Sequence, residues 1–186
     1  MAPPDVHDGD ESYTGLLGKY RVPKYDRRIE ALGAVDESTA VLGLARVQAR
    51  SPETVKALLQ LQRDLYTLMS EIAAAPDNVE IFRAIDEDRV SWLEAIISEF
   101  EHRIKMPEEF IIPGDSLPGA ALDMARTVIR RAERRVVELT HTGDVRNLNL
   151  VRFLNRASSL CYILELFENS LSGHDHPTLA KDSSEK

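Results

Sequence analysis

From about Asp26 onward the apolar positions follow a helical rhythm. Ile29, Leu32, Val35, Ser38/Thr39 and Leu42 recur at three- and four-residue steps, with Val47 beyond, and so share one helical face. Ser51 then stands as an N-cap with Pro52 at the first helical position. The helix it opens runs through Val55, Leu58, Leu59, Leu61, Leu65, Leu68 and Ile72, and "AAAPDN" ends it. A third helix is predicted over Asp86–Arg103, carried by Val90, Leu93, Ile96, Ile97 and Phe100. "KMPEEFIIPGDSLPG" is a long non-helical connection. A fourth helix spans Ser116–Thr142, where "HTGD" breaks it, and a fifth spans Val145–Ser172, ending at Gly173. Five long helices without convincing alternating strands predict an all-α protein, a five-helix bundle. Residues 1–25 are rich in turn formers and lack a helical period, the bundle covers 26–172, and 173–186 reads as a disordered polar tail.

Composition adds limits. At 186 residues and 43% hydrophobic content the chain suits a single domain with one core. Cys161 is the one cysteine, which excludes an internal disulfide framework and a Cys-rich metal site. It lies in an apolar helical pattern and reads as a small core residue. The N-terminus lacks the basic start and apolar run of a signal peptide, and no apolar run reaches the roughly 18–20 residues of a membrane span. These features predict a cytoplasmic protein without membrane attachment. A net charge of −8 argues against nucleic acid as a partner, because phosphate-backbone binding needs a broad basic surface.

Against that acidic balance, "ALDMARTVIRRAERRVVEL" places five arginines between positions 126 and 135. At about 100° per residue, Leu122, Ala125, Ile129, Ala132, Val136 and Leu139 form a core stripe. Arg126, Arg130 and Arg134 form one ridge beside it, with Glu133 among them, while Arg131 and Arg135 point to the far side and read as solvated charges. The guanidinium fork suits carboxylates and phosphates. Geometry alone leaves two readings equal: an anion or interface site, and a surface ion-pair network. A second basic cluster shifts the balance. "GKYRVPKYDRR" carries Lys19, Arg21, Lys24, Arg27 and Arg28 against one aspartate, in a glycine-containing segment before a helix. Flexible backbone, free N–H groups and lysines are what a phosphate cradle requires, although the Walker spacing is absent. Two positive patches point to a compact polyanion such as a nucleoside triphosphate.

Taken in order, "GDESYTGLLGKYRVPKYDRRIEALGAVDES", "FIIPGD", "ARTVIRRAER" and "RFLNRASS" resemble the PduO-type ATP:cob(I)alamin adenosyltransferases over about residues 8–170. The resemblance implies a ferritin-like five-helix bundle assembled as a homotrimer, with sites at subunit interfaces. It implies transfer of the 5′-deoxyadenosyl group from ATP to cob(I)alamin, with Mg²⁺ and release of triphosphate. Gly9, Asp10, Thr14, Gly15, Lys19 and Lys24 match the family's nucleotide loop within the 1–25 segment. Asp36 and Arg126 match an intersubunit salt bridge. Arg130, Glu133 and Arg134 match nucleotide- and magnesium-site positions, with Glu133 the metal candidate, and Asn155 matches a further nucleotide contact. Phe110 matches the aromatic that closes the corrinoid pocket and displaces the lower cobalt ligand. Partners implied are a flavin-dependent reductase and an adenosylcobalamin-dependent enzyme.

The chain departs from the family pattern at several positions. Val6 stands for a threonine and Ser12 for a glycine in the nucleotide loop, where a side chain at Ser12 would oppose a positive φ. Ser159 replaces an aspartate, Asp123 a histidine, and Asp115 the second glycine of "PGG". These departures motivate the alternatives of a non-catalytic corrinoid or nucleotide binder (carrier, chaperone or sensor) and of a helical interaction module. "HDH" at 174–176 reads as polar tail rather than a metal site, and the carboxylates of "AIDEDRVSWLE" as a solvated face.

Overall fold

A computed structural model describes residues 10–83 and 85–181. The chain opens with a hairpin of β1 (Tyr13–Gly15) and antiparallel β2 (Arg21–Pro23), in which Thr14 faces Val22. Helices α1 (Arg27–Gln48) and α2 (Pro52–Ala73) follow, then the single turn α3 (Val79–Phe82), α4 (Glu87–Glu101), α5 (Leu117–His141) and α6 (Asn149–Leu171). Among the described residues, no helix is long and apolar enough to cross a membrane.

The predicted starts of α1, α2, α4 and α5 have physical caps. Asp26 accepts from the Arg28 N–H, Ser51 from Glu53 and Thr54, Asp86 from Arg89, and Ser116 from Gly119. A buried carboxylate adds a second device, since Glu168 on α6 accepts from the backbone N–H groups of Arg50 and Ser51 at 2.8 and 3.1 Å. Helix α5 lies between α1 and α6, with α2 on α1 and α4 on α6. The predicted stripe of Leu122, Ala125, Ile129, Ala132, Val136 and Leu139 is fully buried. Gly119 is required at the start of α5, because a Cβ there would meet the Asn169 Oδ1 at 2.1 Å.

The structure differs from the expectation in three places. The N-terminal segment contains strands, which are three residues each and too short for an alternating pattern to register. The last helix starts at Asn149 rather than Val145, because the Asn147 side chain intervenes: its amide donates to Glu71 and to the Ile85 carbonyl, and its oxygen accepts from the Asn149 N–H. The third is the tail. Residues 173–181 are not disordered: they lie along the loop before α5, with the Ile112 N–H donating to the Thr178 carbonyl and the Ala180 N–H to the Phe110 carbonyl. Polar composition concealed this contact because backbone groups and Asp115 make it, without an apolar face. Residues 182–186 lie outside the described chain.

Candidate active site

The N-terminal hairpin is fastened to the end of α2. The Leu17 N–H donates to the Ala73 carbonyl at 2.8 Å, and the Ala75 N–H donates to the Leu17 carbonyl at 3.1 Å. Gly18 has a φ of +145°, and a Cβ there would approach Ala75 Cβ to 2.7 Å, so only glycine fits the tip. This anchoring holds Thr14 half-buried and leaves Asp10, Gly15, Lys19 and Lys24 exposed. Gly9 and Val6 lie outside the described residues. Ser12 takes the left-handed conformation (φ +64°), and its carbonyl accepts from the Lys24 N–H at 2.9 Å. The side chain therefore does not prevent the positive φ, although a non-glycine residue in that region costs about 1 kcal/mol.

Not every residue of the second basic cluster is free to meet an anion. Arg28 is buried and donates to the carbonyls of Ile72, Ala74 and Asp144 at 3.1, 2.9 and 2.6 Å. It ties the bundle end together; Arg21 lies 3.8 Å from Glu11 and Arg27 3.9 Å from Asp144, so the cations without a carboxylate partner among the described residues reduce to Lys19 and Lys24.

On α5 the five arginines divide by partner. Arg126 Nε donates to Asp123 Oδ1 at 2.7 Å, Arg131 pairs with Glu37 of α1, and Arg135 reaches Glu138 at 3.5 Å. Arg131 and Arg135 are thus engaged in surface ion pairs, not simply solvated. Arg130 and Arg134 are exposed and have no side-chain hydrogen-bond or ion-pair partner among the described residues. One turn apart, they form a two-pronged cationic edge. Glu133 sits half-buried beside them, and Asn155 Nδ2 of α6 donates to its Oε1 at 3.0 Å. The Asn155 oxygen accepts from Arg156 at 2.9 Å, and Arg156 Nε bonds Glu94 of α4 at 3.0 Å. Three helices thereby fix one carboxylate. Asp36 on α1 is exposed and its carboxylate has no partner among the described residues, so Asp36 and Arg126 do not meet within one chain.

A cavity of about 450 Å³ opens beside this ridge, lined by Glu109, Phe110, Ile111, Pro113, Asp123, Arg126 and Tyr162 among others. Phe110 is 89% exposed and Ile112 is about half exposed. The Phe110 ring thus stands at the mouth of the cavity, where a ligand could meet it.

Sequence reasoning missed Glu165. It is fully buried on α6, and neither carboxylate oxygen has a hydrogen-bond partner. Burial, chiefly, and the nearby Asp123 push its carboxyl up to about 8, with Arg126 opposing. Its four-residue spacing from Cys161 follows the apolar rhythm, and a single charged residue in such a stripe is the signal that could have found it. Burial also raises the Tyr162 hydroxyl and pushes the Cys161 thiol up to about 12, so Cys161 is an inert core residue as expected. Asp86, Glu87 and Glu94 are exposed, as expected of a solvated face, and there they also cap α4 or pair with Arg152 and Arg156 of α6.

A family model for cobalamin adenosyltransferase matches residues 5–168. The corrinoid adenosyltransferase PduO of Citrobacter freundii is 36% identical over 166 residues, covering 87% of this chain and 48% of that protein, so the chain spans about half of that relative's length. A cobalamin adenosyltransferase of Cupriavidus metallidurans is 36% identical over 168 residues, covering 89% of this chain and 87% of the relative. Among solved structures, a phenylalanine variant of the PduO-type ATP:corrinoid adenosyltransferase from Lactobacillus reuteri, complexed with cobalamin and ATP, superposes with a TM-score of 0.87. It is 27% identical and covers 96% of this chain and 99% of its own. An arginine-to-lysine variant of the same enzyme, complexed with ATP, gives 0.86 at 28% identity over 96% of this chain and 100% of its own.

Proposed function

This chain belongs to the cobalamin adenosyltransferase family, and from that premise we propose that it transfers the 5′-deoxyadenosyl group of ATP to the cobalt of cob(I)alamin. The cobalt–C5′ bond forms as the C5′–oxygen bond breaks, and the bonding pair leaves with triphosphate. Cob(I)alamin is itself the nucleophile, so no side chain has to attack. The protein's tasks are to align C5′ with cobalt and to stabilise the charge of the leaving group.

The observation that carries this reading is the edge formed by Arg130 and Arg134, unpaired on a helix whose other three ridge and far-side arginines are all paired. Two uncommitted guanidinium groups beside a fixed carboxylate suit a polyphosphate. Glu133 offers a hard oxygen donor, held by Asn155 and half-buried, which fits Mg²⁺. Among the described residues no three His, Cys, Asp or Glu side chains gather as a metal site, so the phosphates would complete the coordination shell. Bound there, Mg²⁺ would neutralise triphosphate charge.

Asp10, Thr14, Gly15, Lys19 and Lys24 of the N-terminal segment, with Gly9 outside the described residues, supply the other half of the nucleotide site. The hydrogen bonds of the described hairpin go to the end of α2 and none goes to α5, which supports a site completed by a second subunit of a ferritin-like homotrimer. In that assembly Arg126 meets Asp36 of the neighbour. Phe110 faces the corrinoid over the pocket it shares with Tyr162 and Arg126. A flavin-dependent reductase would supply cob(I)alamin, and an adenosylcobalamin-dependent enzyme would consume the product, all in the cytoplasm.

The test is to mix reduced cobalamin with Mg-ATP and follow the visible spectrum. Adenosylcobalamin should accumulate. Binding of both ligands without turnover would instead support a carrier, chaperone or sensor.

A further inference from the structure

The segment after α6 crosses the back of the pocket loop. His174 N–H bonds the Asn169 carbonyl at 2.9 Å, and the chain then reaches residues 178–180. There Asp115 accepts twice from one residue: from the Thr178 N–H at 3.0 Å and from its hydroxyl at 2.6 Å. Backbone bonds continue the contact on both sides of the Ile111–Leu179 bridge. The Ile112 N–H donates to the Thr178 carbonyl at 2.8 Å, and the Ala180 N–H to the Phe110 carbonyl at 2.7 Å. Four hydrogen bonds therefore converge on residues 110–115, the stretch that presents the exposed Phe110 ring and supplies Ile111 and Pro113 to the cavity wall.

Loop position matters here because the Phe110 side chain has almost no packing of its own to hold it. Its placement is set by its backbone, and its backbone is pinned by the segment beyond α6. Asp115 stands where the family pattern has a glycine, which could make neither side-chain bond.

We propose that Asp115 and Thr178 are positioning residues that clamp the C-terminal segment onto the Phe110 loop and thereby set the corrinoid side of the site. The inference rests on the functional reading above. Both residues act through the loop backbone and touch no reacting atom. Losing the clamp should weaken use of the corrinoid and leave ATP binding unchanged, since the nucleotide residues lie on α5, on α6 at Asn155 and in the N-terminal segment, and none of the described ones bonds residues 110–115 or 178–180.

The experiment compares the full chain with Thr178→Val, Thr178→Ser and Asp115→Ala. Amide hydrogen exchange over residues 110–113 reports the clamp, the two KM values report its consequence, and the absorption spectrum of bound cob(II)alamin reports the lower ligand. Thr178→Val and Asp115→Ala should speed exchange and raise the corrinoid KM about tenfold, as expected for a lost hydrogen bond to a carboxylate. Their ATP KM should stay within about twofold of the parent, while Thr178→Ser, which keeps the hydroxyl, should match the parent throughout. Faster exchange with an unchanged corrinoid KM and spectrum would overturn the proposal, as would unchanged exchange in both variants. A parent that binds corrinoid without turnover fails the functional reading alone, and the spectrum of bound cob(II)alamin still decides the clamp. A parent that binds no corrinoid overturns both.

Discussion

Asn155 on α6 donates its side-chain amide to the carboxylate of Glu133 on α5 at 3.0 Å, while its own oxygen accepts from Arg156. The bond holds the carboxylate beside Arg130 and Arg134 without neutralising it. Replacing Asn155 by Leu should free Glu133 to pair with those arginines. An ATP KM raised roughly tenfold, with the fold intact by circular dichroism, is the expected result. An unchanged KM would remove Asn155 from the nucleotide site.

Arg130 has no side-chain partner to lose among the described residues. Arg130→Ala should therefore leave the melting temperature and the oligomer within error of the parent, while turnover falls below detection. Normal activity in that variant would show that the α5 edge is misassigned.

Arg126 is held by Asp123 in the single chain, and the Asp36 carboxylate has no partner among the described residues. In the assembled protein Arg126 would exchange one carboxylate for the other. Asp36→Arg should weaken assembly or activity, and adding Arg126→Asp should restore part of the loss. Sedimentation velocity and a double-mutant cycle measure this, and additive losses would exclude the pair.

Glu165 predicts a pH signature. The folded chain keeps its proton up to about 8, whereas an unfolded glutamate releases it near 4.5. Its stabilising contribution is full below the lower value and disappears as pH rises through the higher. The parent's melting temperature should accordingly fall between about pH 4.5 and pH 8 more than that of Glu165→Gln, whose side chain stays neutral. Asp123, Arg126 and Tyr162 surround the same position, so identical pH profiles would mean that Glu165 is already ionised at neutral pH.

Ser12 carries a positive φ that serine tolerates and a β-branched residue does not. Ser12→Gly should bind ATP at least as well as the parent. Ser12→Val should raise the ATP KM several-fold by opening the hairpin at the Lys24–Ser12 bond, with little change in the corrinoid KM. Equal behaviour of the two variants would separate the loop conformation from nucleotide binding.

The helices were legible because burial repeats: the stripe on α5 is buried at each of its six positions, and the caps at Asp26, Ser51, Asp86 and Ser116 carry recognisable side chains. What escaped was held by groups without a pattern. The hairpin and the folded-back segment beyond α6 depend on backbone hydrogen bonds, which any residue but proline can supply. Arg28 read as part of a phosphate-binding cluster and is buried among carbonyls, a placement set by contacts 44 to 116 residues away. The ridge of Arg126, Arg130 and Arg134 was visible as spacing, and Asp123 and Glu138 stand three residues from Arg126 and Arg135 on the same helix, but the pairing of Arg131 with Glu37 of α1 is legible only once the helices are packed.

Leu17 and Arg28 together occupy the peptide groups that end α2: the carbonyls of Ile72, Ala73 and Ala74, and the N–H of Ala75. Those groups would otherwise face water at a frayed terminus. The end of α2 is therefore finished from outside it, by Leu17 of the N-terminal segment and by Arg28 of α1. Ordering the hairpin thus shares hydrogen bonds with the end of α2. A ligand that grips Thr14 or Lys19 would raise the melting point of the bundle as a whole, so heat alone, without any catalytic readout, would register its arrival.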